Sequence, residues 1–306
     1  MAEVGALAGR VVVITGAGRG IGAAVASLVA ASGGRVVVND LGSDTLGQGS
    51  DEEPARTVVE EIVARGGEAV AHFGDISNNT TAHELIGTAL ETFGRLDGVV
   101  NSAGMLRDAI FHKLSESDWD AVLRVHLKGS FNVSSAAAGV FRQAERGAMV
   151  HMTSTSGLIG NRGQANYMAA KMGIAGLSRA IALDMARFGV RSNAVAPFAW
   201  SRLTASVPTD NEVDRRRVEQ FRKLEPDTVA PLVVHLLSDA AADITGQIFT
   251  IRRNEIFLMS QPRPVRSIHT SDGWTVESLA DRLGPAFRSS LVPLETSGEV
   301  FSWDPI

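Results

Sequence analysis

Short runs of β-branched residues alternate with helix-like stretches along most of this chain, and this alternation narrows the possible folds most strongly. Strands are predicted at residues 11–14, 36–38, 69–73, 98–100, 148–153, 190–195 and 247–251. Between them, helical periodicity predicts helices at residues 21–31, 55–65, 80–93, 119–140, 165–187 and 226–237. Strands that are apolar throughout are typical of a parallel sheet covered on both faces. We therefore expect an α/β fold, a doubly wound parallel sheet of about seven strands whose ligands bind at the carboxyl ends of the strands.

Two segments do not follow this alternation. Residues 42–53 form a polar insert rich in Gly, Ser and Asp. Residues 252–306 form a tail with five large aromatic side chains: Phe257, Trp274, Phe287, Phe301 and Trp303. The tail is too aromatic for a disordered linker and too short for a strong core of its own. We expect one domain over residues 1–251, with residues 252–306 as an extension packed on that domain or on a neighbouring subunit.

Composition excludes several classes of function. The 306 residues carry a formal net charge of −5, which argues against nucleic acid or an anionic membrane surface as a partner. The chain has no cysteine, so disulfides, thiolate metal sites and a cysteine nucleophile are excluded. We expect no metal site. Without a predicted signal peptide or membrane-spanning segment, the expected location is cytoplasmic.

The first predicted strand runs directly into a glycine-rich turn and then a helix. Glycines at positions 16, 18, 20 and 22 allow the backbone to approach a pyrophosphate, and the helix N-terminus offers free N–H groups. The candidate cofactor-binding residues here are Gly16, Arg19, Gly20, Ile21 and Gly22. The spacing is G-x-x-x-G-x-G rather than G-x-G-x-x-G, so a tight turn without a ligand stays open.

Asp40 ends the second predicted strand. A carboxylate at this place can accept hydrogen bonds from both ribose hydroxyls of NAD, and it would repel the 2′-phosphate of NADP. Arg19 is a counter-signal, since a basic residue in the glycine loop could attract that phosphate. A fixed carboxylate outweighs a flexible arginine, so NAD is the predicted cofactor.

Tyr167 is the only tyrosine in the chain, and Lys171 lies one helical turn later on the same face. A nearby ammonium and the positive nicotinamide ring would favour the phenolate, which could then accept a hydroxyl proton. Ser154, at the end of the fifth predicted strand, could hold the substrate oxygen. Taken singly, these residues also fit an ordinary surface pair and a capping serine.

Taken together and in order, these motifs resemble the short-chain dehydrogenase/reductase family over roughly residues 8–251. The set also includes Asp75, the run from Asn101 to Gly104, and the run from Asn193 to Pro197. The resemblance implies a Rossmann-type fold and a homodimer or homotetramer formed through the long helices. It assigns cofactor contacts to Asp75 and Ile76 beside the adenine, and to Asn101, Ala103 and Gly104 along the channel. It also assigns them to Tyr167, to Lys171 at the nicotinamide ribose, and to Pro197 near the amide.

The chain departs from the family pattern at three positions. Ser102 replaces an asparagine, and Phe198 replaces a glycine. His126 replaces the helix asparagine that anchors a proton-relay water to the lysine. A histidine could bind the same water with a different pH response, or it could point elsewhere.

The segments around Asn39, His126 and Tyr167 are similar to the dehydrogenase part of the peroxisomal multifunctional β-oxidation enzymes and to bacterial relatives. That resemblance implies oxidation of a 3-hydroxyacyl-CoA, fatty-acyl or steroid-derived, to the 3-ketoacyl-CoA. Arg107, Arg162 and Arg202 are candidate contacts for the anionic CoA, and residues 198–221 are a candidate substrate lid. The tail has no counterpart that we can assign.

Two other functions remain open from the sequence. One is an NAD(P)-dependent hydroxysteroid dehydrogenase or carbonyl reductase that acts on a free alcohol or ketone. Asp40 argues against the version of this function that uses NADPH. The other is a non-catalytic, cofactor-binding regulatory protein, which only His126 favours.

Overall fold

A computed structural model describes residues 5–200 and 223–306. Its centre is one eight-stranded sheet with the order β3-β2-β1-β4-β5-β6-β7-β8. The strands are β1 Val11–Thr15, β2 Arg35–Asn39, β3 Glu68–His72, β4 Gly98–Asn101, β5 Gly147–Met152, β6 Val190–Phe198, β7 Ile248–Arg252 and β8 Glu255–Leu258. All neighbouring strands are parallel except β7 and β8, which are antiparallel.

Ten α-helices connect or flank these strands in the described part of the chain. They are α1 Gly20–Ala31, α2 Glu53–Ala64, α3 Asn79–Phe93, α4 Glu116–Leu123, α5 Gly129–Ala144, α6 Thr155–Leu158, α7 Ala165–Met185, α8 Ala230–Leu237, α9 Val276–Phe287 and α10 Ser297–Val300. Among these helices none is both long and apolar enough to cross a membrane.

The two faces of the sheet carry separate apolar cores. One core joins side chains of α1, α2 and α8 to one face, and the other joins side chains of α3 and α5 to the opposite face. Consecutive valines of β1 alternate between the cores: Val12 belongs to the first, and Val11 and Val13 to the second. This alternation explains why the strands are apolar throughout, and it confirms the predicted doubly wound architecture.

The sheet register brings three loops to one edge. Thr15 at the end of β1 lies opposite Asn101 at the end of β4, and Asn101 lies opposite His151 near the end of β5. The buried Thr15 hydroxyl accepts hydrogen bonds from the backbone N–H groups of Ser102 at 3.1 Å and Ala103 at 3.2 Å. The loops after β1 and β4 are thereby fixed against each other, at the point where the winding direction of the sheet reverses.

Two elements differ from the sequence-based expectation. An eighth strand, β8, lies inside the tail and pairs with β7, whereas the pattern predicted about seven strands. The helix predicted over residues 119–140 is divided by a π-helical turn at Arg124–Lys128, which separates α4 from α5. An extra residue in a helical turn leaves little trace in apolar periodicity, and such turns are frequent at functional sites.

The end of the tail packs against the sheet. The Phe301 ring makes edge contacts with Phe198 of β6, at a centroid distance of 5.1 Å, and with Phe257 of β8, at 5.3 Å. The Trp303 indole donates a hydrogen bond to Glu255 at 2.8 Å, and the Trp303 carbonyl accepts one from Arg252. These contacts hold the last residues beside the carboxyl ends of β6 and β7.

The second core predicts one clear stability effect. Phe141 of α5 has no exposed surface and packs against the backbone at Gly147, where a side chain would collide with its ring. Phe141→Ala should lower the free energy of unfolding by about 3–5 kcal/mol, because it removes a large buried ring and leaves a cavity. Urea unfolding followed by far-UV circular dichroism would measure the change.

Phe111→Ala is the matched control, since 76% of the Phe111 side chain is exposed. It should change the free energy of unfolding by less than about 1 kcal/mol. Equal losses in the two variants would contradict the assignment of Phe141 to the core.

Candidate active site

A cavity of about 340 Å³ lies at the carboxyl ends of β1, β2 and β4. It brings together nine of the residues predicted to bind the cofactor: Gly16, Arg19, Gly20, Ile21, Asp40, Asp75, Ile76, Ala103 and Gly104. The polar insert contributes a wall that the sequence did not predict, formed by Ser43, Asp44, Thr45 and Gly47. Five separate segments of the chain therefore converge on this cavity.

The glycine turn is shaped by close backbone contacts. Gly16 has a φ of +64°, and a Cβ atom there would lie 2.6 Å from the Ala103 Cα atom. Gly20 has a φ of +56°, but a Cβ atom on it would meet nothing within 4 Å. The close backbone packing at position 16 therefore requires a glycine. The open space beside Gly20 suits a ligand lying over the start of α1.

The Asp40 carboxylate is held in a fixed position beside this turn. One oxygen accepts a hydrogen bond from the Gly18 N–H at 2.8 Å, and the other accepts one from the Gly42 N–H at 2.7 Å. Arg19 is partly exposed, and its guanidinium lies 3.9 Å from the carboxylate of Asp51. The first cavity thus has a fixed carboxylate and a partly exposed guanidinium beside the glycine turn.

A second cavity of about 320 Å³ adjoins the first, and Ile21, Ser102 and Gly104 line both. It brings together the four predicted catalytic residues Ser154, Tyr167, Lys171 and His126, and also Pro197. An extended nucleotide can lie in the first cavity with one end reaching the second. The shape and the donor groups therefore fit a nicotinamide dinucleotide.

Ser154 and Tyr167 line the same cavity, and the Ser154 hydroxyl is near enough to the phenol to influence its pKa. Ser154 follows β5 and caps the short helix α6, where its hydroxyl oxygen accepts the Ser156 N–H at 3.1 Å. Since that bond uses the oxygen as an acceptor, the Ser154 proton is free to be donated. The serine can therefore donate to the phenol oxygen of Tyr167 or to a substrate oxygen.

Burial governs the charges of the tyrosine and the lysine. Burial raises the pKa of Tyr167 to about 12, and the Ser154 hydroxyl opposes this rise only in part. The Lys171 ammonium donates to the Met152 carbonyl at 2.6 Å and lies 5.5 Å from the centre of the tyrosine ring. Burial lowers the pKa of Lys171 to about 7. In the protein alone the lysine therefore does not produce the lowered tyrosine pKa that we expected from its charge.

His126 lies in the π-helical turn, with its ring perpendicular to that of Tyr167 and 5.3 Å away. Its Nε2 atom is 2.8 Å from the Met105 carbonyl and 3.1 Å from the Met105 N–H, so this nitrogen is engaged in either tautomer. Burial and the neighbouring Lys171 lower the pKa of His126 to about 3, and the ring is neutral near pH 7. Its Nδ1 atom is buried and has no hydrogen-bond partner among the described residues.

Several other predicted residues lie outside the two cavities. The Asn101 amide points into the core, where it donates to the Ser134 hydroxyl at 3.0 Å and contacts His151. Gly22 packs behind the glycine turn, against the carbonyl of Gly16. Arg107 donates to the Leu46 carbonyl and pairs with Asp118 at 3.1 Å, so it braces the polar insert. Arg202 and most of the predicted lid lie outside the described residues.

The second cavity also contains residues that sequence reasoning missed. Asn161 and Gln164 line it from the approach to α7, and Gln164 donates to Asp108 at 2.8 Å. Thr296, Ser297 and Gly298 of the tail line it as well. No sequence motif near these tail residues predicts that they belong to the site. They reach the cavity only through the long-range packing of the folded chain.

Comparisons with known proteins agree with this geometry. A family model described as enoyl-(acyl carrier protein) reductase matches residues 16–252. The chain is 39% identical to the hydroxyacyl-CoA dehydrogenase ChsB1 of Mycobacterium tuberculosis, over 87% of this chain and 84% of that protein. It is 42% identical to the peroxisomal multifunctional enzyme type 2 of Mus musculus, over 79% of this chain but only 31% of that longer enzyme.

A solved structure agrees over nearly the whole chain. The crystal structure of a short chain dehydrogenase from Mycobacterium avium has a TM-score of 0.83 and 38% identity, covering 96% of this chain and all of that one. The match includes a large part of the tail as well as the sheet. Sequence, fold and site together show that the chain belongs to the short-chain dehydrogenase/reductase family and is an oxidoreductase of that type.

Proposed function

We propose that the protein oxidises a 3-hydroxyacyl-CoA, fatty-acyl or steroid-derived, to the 3-ketoacyl-CoA with NAD as the hydride acceptor. The observation that carries the proposal is the convergence of Ser154, Tyr167 and Lys171 on one cavity that adjoins a dinucleotide-shaped cavity. The oxidation breaks the O–H and C–H bonds of a secondary alcohol. The proton goes to a base of the protein, and NAD would accept the hydride.

Tyr167 is the proposed base, and Ser154 holds the reacting oxygen beside it. The Ser154 proton can be donated to that oxygen, because its own oxygen already accepts the Ser156 N–H. A phenol whose pKa is about 12 is a weak acid and, once ionised, a strong base. The positive nicotinamide ring close to the phenol supplies the charge that favours ionisation when the cofactor is bound.

Lys171 and His126 are proposed to carry the proton away from Tyr167. The buried lysine, whose pKa is about 7, can bind or release a proton at neutral pH. His126 stays neutral and lines the same cavity as Tyr167, and its Nδ1 atom is buried with no hydrogen-bond partner among the described residues. A water bound to this nitrogen and to the lysine would continue the path, so histidine takes the place of the family's asparagine.

The preference for NAD rests on Asp40. Two backbone N–H groups fix its carboxylate next to the glycine turn, so it cannot swing away from a 2′-phosphate. The same oxygens retain lone pairs that can accept ribose hydroxyls. Arg19 offers little compensation, because Asp51 partly neutralises it.

The acyl-CoA assignment is supported by the similarity to the hydroxyacyl-CoA dehydrogenase ChsB1 and by an exposed cation next to residues that line the cavity. Arg162 lies between Asn161 and Gln164, both of which line the cavity, and its side chain is exposed. Of the two predicted arginines in the described part of the chain, Arg162 is the better placed to meet a CoA phosphate, since Arg107 is engaged by Asp118.

A homodimer or homotetramer is proposed for the assembly. The helices α5 and α7 leave large apolar side chains exposed, at Phe131, Met172 and Leu183. An apolar face on two adjacent long helices suits pairing with a second copy.

Replacing the proposed base tests the chemistry directly. Tyr167→Phe should lower kcat/KM for a 3-hydroxyacyl-CoA by at least about 100-fold, because it removes general-base catalysis. NAD affinity, measured by calorimetry, should stay within about twofold, since the ring is kept. Full activity in this variant would contradict the mechanism.

Replacing Asp40 tests the choice of cofactor. Asp40→Ala should weaken NAD binding by roughly 10- to 100-fold, the value of hydrogen bonds to a charged group, and should improve NADP binding. Glu52→Ala, an exposed acid in the nearby insert, is the control and should change neither affinity. Unchanged discrimination in Asp40→Ala would remove the basis for NAD specificity.

The lowered pKa of Lys171 predicts a pH dependence of stability. Between about pH 7 and pH 10.5 the unfolded chain keeps the lysine proton and the folded chain does not, so the free energy of unfolding should rise with pH. Lys171→Met should reduce this rise between about pH 7 and pH 9, measured by urea unfolding. If the free energy of unfolding rises equally with pH in both proteins, the pKa of Lys171 in the folded chain is an ordinary one.

A further inference from the structure

The C-terminal tail reaches the wall of the catalytic cavity. Thr296, Ser297 and Gly298 line the same cavity as Ser154 and Tyr167, although well over a hundred residues separate them in sequence. The cavity wall on that side therefore depends on the tail and not on the sheet.

Contacts on both sides of these residues fix their place. The Ser297 N–H donates a hydrogen bond to the Gly160 carbonyl at 2.8 Å, which joins the tail to the loop between α6 and α7. Four residues later, the Phe301 ring packs on Phe198, which follows Pro197 of the cavity wall. The cavity-lining segment of the tail is thus held from two directions.

The Ser297 hydroxyl is buried but unpaired within the described part of the chain. The side chain is 8% exposed, and its hydroxyl has no hydrogen-bond partner among the described residues. The neighbouring Thr296 hydroxyl differs, since it donates to Glu299 at 2.9 Å. Because buried hydroxyls in proteins are nearly always paired, a lone one on a residue that lines the catalytic cavity points to a partner brought by the bound substrate.

We propose that Ser297 is a specificity-determining residue that donates a hydrogen bond to a second oxygen of the substrate, the thioester carbonyl. The assignment rests on the proposed oxidation of a 3-hydroxyacyl-CoA. Ser154 and Tyr167 hold the oxygen that reacts, and Ser297 recognises the acyl group that distinguishes this substrate from a plain secondary alcohol.

The test compares two substrates in the full-length protein. Ser297→Ala should lower kcat/KM for 3-hydroxybutyryl-CoA by roughly 5- to 100-fold, because the thioester carbonyl would lose its partner. For 2-butanol, which has no second oxygen, the change should stay below about twofold. Ser302→Ala, an exposed serine of the same tail, is the control and should change neither value.

A second variant tests whether the hydrogen-bonding hydroxyl, and not the volume of the side chain, is responsible for the effect. Ser297→Cys keeps nearly the same volume but replaces the hydroxyl by a weak donor, so it should lose thioester preference as Ser297→Ala does. Thermal unfolding of each variant shows whether the fold is kept.

The outcomes separate this inference from the proposed function. If the unmodified protein oxidises 2-butanol but no hydroxyacyl-CoA, the proposed function fails, and the role of Ser297 fails with it. If the protein oxidises the thioester and both Ser297 variants keep its kcat/KM for 3-hydroxybutyryl-CoA, only the role of Ser297 is overturned.

Discussion

The parallel pairing of β1, β4 and β5 is the constraint on which the site depends. Because Thr15, Asn101 and His151 lie opposite one another, the loops after these strands start at one edge of the sheet. The Thr15 hydroxyl then joins the first two loops through the N–H groups of Ser102 and Ala103. One register thus sets both the place of the glycine turn at the first cavity and the place of Ser154 at the second.

Burial sets the protonation states of the side chains in this arrangement. The protein alone raises the pKa of Tyr167 to about 12 and lowers the pKa of Lys171 to about 7. Both shifts favour the neutral forms, so near pH 7 the phenol keeps its proton while the lysine is only partly protonated. His126 contributes no charge of its own near pH 7, and its role is limited to hydrogen bonding through the nitrogen that Met105 leaves free.

Local pattern was sufficient to predict the parts of the site that are continuous in sequence. The apolar strands, the glycine turn, Asp40 and the spacing of Tyr167 and Lys171 each depend on a period or a short motif, and the structure brings them to two adjoining cavities. The π-helical turn at His126, the wall formed by the polar insert and the arrival of Ser297 at the cavity were not predicted. The π-helical turn adds one residue to a helix and hardly changes its apolar periodicity. The other two features depend on long-range packing, in which Arg107 braces the insert and Phe301 lies on Phe198.

The central claim is that Tyr167 becomes the base through the charge of the bound cofactor. Tyr167 is the only tyrosine, so the ultraviolet absorbance of ionised tyrosine reports this residue alone, with Tyr167→Phe as the blank. The account predicts a pKa of about 12 for the protein alone and a clearly lower pKa with NAD, but not with ADP-ribose, which lacks the nicotinamide ring. A pKa that is the same with NAD and with ADP-ribose would contradict it.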